Sequence, residues 1–440
     1  MFSKIKLSLK GINYKLFFAL IILGLAPTIY TTMRVFFLGQ LPGEWSFSIA
    51  GQLSWINLFY EILNEAIILP LFYFIGKVKN DREEFSNRVK TGIIVSLGMY
   101  TLLSAMVFIF AEPMLNIMAT DTTIIQASIT YIRIESIANI FSMLTQFLLV
   151  ALVTVNKEKY LYMLTGVKLI LCVVLDTFVV SSLPVSLDLG INGIGYSNII
   201  VNLILFVVSL TILSKEEIKI FKNSKLNFVW IKEFIKIGCV SGLESFVRNI
   251  AYMVMIARMV NVVGEQGTYW VANNFIWGWL LLPVIQLGEL IKQEVSTNKE
   301  NIRRNSLGYF SISMIISILW FASIPVWKPF MTYVLGFDNV DKLFGLVMIL
   351  AGFYVLYAIQ NVFDSTFYGL GKTNYMLWES VITNSIYYGV AFILYFTNVW
   401  TPTLTGIALL FGIGNAFDSI VSFIAYLILL KKEKINILRV

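Results

Sequence analysis

Apolar residues gather in this chain into long blocks separated by short polar connections. Blocks of about 20 or more mainly apolar residues lie near 15–39, 46–76, 90–112, 123–153, 158–182 and 191–213, and again near 233–262, 267–293, 306–334, 340–369, 373–397 and 402–430. Each is long enough to cross the hydrocarbon layer of a bilayer. Lipid offers no partner to a backbone N–H or C=O, and a helix satisfies these groups within one segment. The pattern therefore predicts an all-α integral membrane protein of about twelve transmembrane helices.

Composition agrees. Of 440 residues, 58% are hydrophobic and 13% charged, a balance that water-soluble domains do not sustain. Nine prolines and 28 glycines are spread along the chain and no low-complexity linker interrupts it, so one membrane unit is expected. The opening MFSKIKLSLKGINYK leads into an apolar run with no small-residue cleavage site, which predicts a retained first helix.

The connections carry the orientation. Lys4, Lys6, Lys10 and Lys15 precede the first span, KVKNDREEFSNRVK follows the second, NKEK the fourth, SKEEIKIFKNSK the sixth, NKENIRR the eighth and KKEK the last. The opposite loops, such as SLPVSLDLGING and TNVWTPT, are Gly/Pro/Asp turns nearly free of Lys and Arg. Cytoplasmic loops hold the Lys/Arg excess, so both termini are expected in the cytoplasm of a multi-pass cell-membrane protein. The net charge of +7 reflects this asymmetry and attraction to anionic lipid rather than nucleic-acid binding.

The chemistry available is narrow. Histidine is absent, so proton chemistry falls to carboxylates. Cys172 and Cys239 sit in apolar segments and act as small hydrophobes. With no HExxH motif, nucleotide-binding loop or nucleophile–base pair, an enzyme is not expected. No cofactor is implied beyond a coupling proton or sodium, and the expected partners of a monomeric chain are membrane lipids and a small organic or lipid-linked substrate.

Landmarks recur about 216 residues apart. Asn80-Asp81-Arg82-Glu83-Glu84 follows the second span and Thr297-Asn298-Lys299-Glu300-Asn301 the eighth; Glu112-Pro113 with Asp121 is echoed by Lys328-Pro329 with Asp338. Six spans is an even number, so the halves share one orientation and predict a parallel repeat of two six-helix bundles around a central cavity. The expected division is an N-lobe at 1–213, a cytoplasmic strap at 214–232 and a C-lobe at 233–440.

Several segments carry a family likeness: MRVFFLGQL, GKVKNDREEF, FAEPMLNIMATD, YIRI, VVLDTFVV and IGCVSGLESFVRNI. In order, spacing and duplication the chain resembles the multidrug and toxic compound extrusion (MATE) transporters, within the superfamily that includes lipid-linked oligosaccharide flippases. The resemblance implies cation-coupled export of amphipathic compounds by alternating access. It also implies a coupling site built on carboxylates in spans one and five. The second carboxylate matches Asp176; in place of the first stands Arg34, and Cys172 replaces an asparagine usual one turn before Asp176.

Ionisable groups inside spans are functional candidates, because burial there costs about 2.5–3.5 kcal/mol on insertion scales. Arg34 and Asp176 lie at similar depth, and pairing would relieve both; alternatively Arg34 snorkels to the outer interface. Glu244 and Arg248, four residues apart, form either a cation site with its counter-ion or a pair that only assists insertion. Glu61, Glu65, Lys168 and Asp418 are further pathway candidates, whereas Glu289, Asp364 and Glu379 sit toward cytoplasmic span ends and are expected to meet water or backbone. Trp45, Trp230, Trp327 and Trp400 suit interface belts; Trp270, Trp277 and Trp279 offer stacking surface or lipid-facing packing. Pro27, Pro70 and Pro283 are candidate kinks.

The leading expectation is a MATE-type exporter of an amphipathic solute, with atypical ion coupling because of Arg34. The alternative is a flippase of an anionic lipid-linked glycan, or an exporter of an anionic metabolite.

Overall fold

A computed structural model describes residues 2–41, 45–78, 80–155, 157, 159–216 and 226–437. It is all-helical, with no strand among the described residues. A short helix α1 (Phe2–Lys10) precedes α2 (Tyr14–Gly39), α3 (Trp45–Gly76), α4 (Arg82–Ile117), α5 (Ile125–Thr154), α6 (Lys159–Val179) and α7 (Gly190–Lys215). There follow α8 (Ile231–Ala251) and α9 (Arg258–Val262) joined by a π segment (Tyr252–Ala257), then α10 (Gln266–Phe275) and α11 (Leu282–Thr297) joined by another (Ile276–Leu280). The last are α12 (Glu300–Tyr333), α13 (Val340–Gly369), α14 (Asn374–Ile382) with a π segment (Thr383–Tyr388) and α15 (Gly389–Phe396), and α16 (Leu404–Lys432).

Joined through their π segments, the described helices after α1 correspond one to one with the apolar blocks, consistent with twelve spans. Among the described residues eight helices are each long and apolar enough to cross a membrane, and Gln266–Leu280 with Leu282–Thr297 makes a ninth as one bent span. That bend is 53°, with Pro283 in the first turn of α11, where a missing N–H costs no helix bond. Pro27 and Pro70 lie inside α2 and α3.

By contact the residues group into two units, 36–249 and 1–35 with 250–440. This grouping differs from the sequence halves in where it puts the first and seventh spans. Residues 217–225, the middle of the expected strap, lie outside the described residues.

In the unit 36–249, α5 is the central helix, packed on α7, α4 and α3, and α6 lies on α7. In the other unit α13 takes the same place, packed on α16, α12 and α11, with α14 on α16. The internal packing therefore repeats, helix for helix, as the sequence offset predicts. Punctuation repeats too. Asp81 Oδ1 accepts the N–H groups of Glu83 and Glu84 at the start of α4, and Asn298 Oδ1 accepts that of Glu300 at the start of α12. Pro113 and Pro329 fall late in the same two helices.

Close approach governs the remaining helices. A Cβ on Gly238 would sit 2.4 Å from the Ala66 carbonyl oxygen, and one on Gly242 3.0 Å from the Ala66 Cβ, so α8 crosses α3 on a face where a larger residue has no room. The first span packs on the eighth: Thr28 Oγ1 donates to the Gly278 carbonyl at 3.1 Å and Trp279 Nε1 to Thr32 Oγ1 at 3.0 Å. Helix α1 docks on α12, where Ser8 Oγ accepts the Gly308 N–H at 2.8 Å. Glu294 accepts from the Asn13 N–H at 2.8 Å, from Asn305 Nδ2 at 2.9 Å and from the Tyr309 hydroxyl.

Two aromatic expectations need correction. Trp230 and Trp327 are not belt residues: both are buried, Trp230 donating to Thr91 Oγ1 at 3.0 Å and Trp327 to Ser323 Oγ at 2.9 Å. An indole N–H with a nearby hydroxyl meets no polar penalty inside a bundle. Trp45, by contrast, is exposed. Trp277 packs edge-on against Tyr354 and Tyr357, and Trp279 against Phe330.

Candidate functional site

Four of the expected residues meet in the unit 36–249. Helix α3 carries Glu61 and Glu65 one turn apart, and α8 carries Glu244 and Arg248 one turn apart, so each helix presents its pair on one face. The Gly238–Ala66 crossing brings these faces together. Arg248 Nη2 donates to both carboxylate oxygens of Glu65, at 2.7 and 2.8 Å, while its Nε lies 3.5 Å from Glu244 Oε1. Glu61 feels the charges of both Arg248 and Glu65.

The i,i+4 spacing of Glu244 and Arg248 was legible in the sequence, but the tighter partner of the guanidinium comes from the other helix. Glu244 is buried and Glu65 and Arg248 half-buried, whereas Glu61 is accessible. Three carboxyls share one cation, so the group holds more acid than base.

Asp176 is buried on α6, beside the buried Cys172, and Lys168 is half-buried two turns earlier. Arg34 lies in the other unit, half-buried on α2, its guanidinium 5.4 Å from the ring centre of Tyr30 one turn away.

A second polar centre lies in the unit containing 250–440, and there Asp418 has neighbours the sequence did not assign. Gln360 Nε2 on α13 donates to Asp418 Oδ2 on α16 at 2.8 Å and to Glu379 Oε1 on α14 at 2.7 Å. Ser419 Oγ donates to Gln360 Oε1 at 2.8 Å, and Thr383 Oγ1 to Asp418 Oδ1 at 2.6 Å. Asp364 accepts from Ser422 at 2.8 Å. The expectation that Glu379 meets water is thus corrected, since it is 5% exposed and held by a side chain. Distance from a span end gives depth and not the face on which a residue lies. Glu289 does reach a partly exposed position, paired with Lys292 at 2.7 Å.

One buried carboxylate escaped the sequence reading. Glu135, 3% exposed on α5, accepts from Asn198 Nδ2 of α7 at 2.7 Å. Its signal was an acid within the span-four block next to Arg133. The polar residues Gln52, Asn57 and Asn64 bond within the unit 36–249, to Trp55 and Thr120, to Asn139 and to Tyr100 respectively. Among the described residues no group of His, Cys, Asp and Glu is arranged to hold a metal ion.

Residues 75–178, from the end of α3 to the end of α6 and including Asp176, match the MatE family model. Along nearly the whole chain the helices superpose on an inward-facing multidrug-resistance MATE transporter, with TM-score 0.78, 17% identity, and 92% of this chain and 95% of that one covered. This chain has the MATE fold. A Vibrio cholerae MATE transporter, VcmN, matches with TM-score 0.70 and 14% identity over 98% of both chains. So does a superfamily transporter from Pyrococcus furiosus described as having a binding pocket of reverse polarity, with TM-score 0.70 and 15% identity over 98% of both. No curated protein matches the chain by sequence. Within the MATE fold the Glu61–Glu65–Glu244–Arg248 group lies on the second and seventh spans and the Gln360–Glu379–Asp418 group on the tenth to twelfth.

Proposed function

We propose that this chain is a secondary transporter that exports an amphipathic, cationic organic solute across the cell membrane by alternating access. The observation that carries the proposal is the Glu61–Glu65–Glu244–Arg248 group. It sets an excess of acid on two membrane-length helices, where charge is retained at a cost and attracts a cation. The fold supports it, since solved transporters of that fold include inward-facing and outward-facing forms. Ion coupling is atypical in this proposal because Arg34 stands where the resembling family carries an aspartate.

Ethidium efflux from proteoliposomes, with sodium and pH gradients imposed separately, tests the function. Efflux that stops when one gradient is dissipated is the expected result; folded protein that moves no ethidium under either gradient rejects it. In the same assay Arg34→Ala is expected to change the ion dependence, and unaltered rate and ion dependence remove Arg34 from the mechanism.

Arg34, together with the reverse polarity described for the Pyrococcus furiosus relative, favours a second reading: flipping of an anionic lipid-linked glycan or export of an anionic metabolite. A deletion strain with cell-envelope defects and unchanged ethidium resistance selects this second reading.

A further inference from the structure

The tenth, eleventh and twelfth spans hold two carboxyls on a single amide nitrogen. Gln360 Nε2 has two hydrogens and gives one to Glu379 Oε1 and one to Asp418 Oδ2. Its carbonyl oxygen is occupied by the Ser419 hydroxyl, and the remaining Asp418 oxygen by Thr383, the first residue of the π segment. The other Glu379 oxygen, Oε2, is buried and makes no hydrogen bond, with Asp418, Asp364 and Ser422 in its surroundings.

The titratable groups around Glu379 are Asp364 on α13 and Asp418 on α16, with Tyr388 of the π segment beside Asp418; Tyr387 next to it donates to the Leu410 carbonyl. The nearest cation on α11, Lys292, is paired with Glu289. No lysine or arginine pairs with Glu379 or Asp418 among the described residues.

Two carboxylate ions sharing one donor repel each other, and the repulsion is large where the dielectric is low. Neutralising one of them relieves it. A proton on Glu379 Oε2 also gives that oxygen an O–H to offer the neighbouring carboxylate, which removes an unsatisfied buried atom. We propose that Gln360, Glu379 and Asp418 form a proton-binding site in which the two carboxyls share one exchangeable proton. Uptake adds one proton and changes the charge of this helix group by one, the event a proton-driven transporter requires. The assignment deepens the transport proposal and rests on it only for that use of the proton.

Infrared difference spectroscopy on the full chain in lipid nanodiscs, titrated from about pH 4 to pH 9, tests it directly. The wild type is expected to show a protonated-carboxyl C=O band that fades as pH rises. Glu379→Gln and Asp418→Asn are each expected to lose that titrating band, and Gln360→Leu to shift its midpoint.

A wild-type spectrum with no titrating carboxyl band, or a band unchanged in both Glu379→Gln and Asp418→Asn, overturns the site. So does a band removed by sodium at constant pH and insensitive to pH, which makes the site one for sodium. The wild-type titration keeps the test decisive if one variant fails to fold. Ethidium efflux, measured separately, distinguishes the two ideas. The titrating band without efflux supports the proton site and sinks the transport reading, and gradient-driven efflux without the band does the reverse.

Discussion

At the scale of single residues, the Arg248 guanidinium is the one side chain in its group that neutralises acid, and Glu65 takes both of its short contacts. Arg248→Ala leaves Glu65 and the buried Glu244 with no counter-ion among the described residues, at an expected cost of about 1–3 kcal/mol. The side chains are 34% and 20% exposed, so water screens part of the loss and the lower end of that range applies. The thermal unfolding midpoint in detergent should fall, and Glu65→Gln in the Arg248→Ala background should recover part of it. A double-mutant cycle with no coupling between the two positions shows that Glu65 and Arg248 do not act as a pair.

The same residues show what a sequence can and cannot convey. Glu244 and Arg248 were legible as a pair because a helix has one period, and Asp418 because it falls in the middle of an apolar block. Glu65 as the partner of Arg248, and Glu379 as the partner of Gln360, depend on which faces of separate helices meet, and nothing local encodes that. Glu379 was set aside on its nearness to a span end; its burial comes from α13 and α16 packing over it.

At the scale of elements, the helices were legible and their irregularities largely were not. Apolar blocks gave nearly every boundary within a few residues, and Pro283 marked the bend in span eight. The π segments at Tyr252–Ala257 and Thr383–Tyr388 carry no comparable mark, since they contain no proline or glycine.

Glycines provide the test at this scale. At Gly238 a Cβ would meet the Ala66 backbone oxygen at 2.4 Å, and backbone cannot swing aside. Gly238→Val should therefore separate α8 from α3, lower the yield of monodisperse protein and disrupt the Glu65–Arg248 pair. At Gly98 a Cβ meets nothing within 4 Å. Gly98→Ala should be neutral or stabilising by up to about 1 kcal/mol, because alanine loses less backbone freedom in a helix. Equal thermal midpoints for the two variants show that the α3–α8 crossing does not depend on close approach.

For the molecule as a whole, the repeat and the charge asymmetry make separate claims. The repeat is visible in the packing, where α5 and α13 are the central helices of their units and choose equivalent neighbours. The asymmetry concerns the membrane, and its physical basis is that Lys and Arg next to a span resist translocation. On that basis the connections after spans two, four, six, eight and ten are expected on the cytoplasmic side, among them the segment holding Glu216. There Lys157 and Tyr160 contact Glu216, and Lys157 holds its carboxyl below the ordinary carboxylate value.

Single cysteines read the orientation directly. Cys172 is buried and Cys239 exposed on an apolar helix, so a Cys172→Ser, Cys239→Ser background removes native thiols without removing a disulfide. In that background Leu187→Cys and Val399→Cys, in exposed loops after spans five and eleven, should react with a membrane-impermeant maleimide in intact cells. Glu300→Cys, at the exposed start of α12, should react only after permeabilisation. Labelling with the two groups reversed inverts the chain, and turns the proposed direction of export from outward to inward.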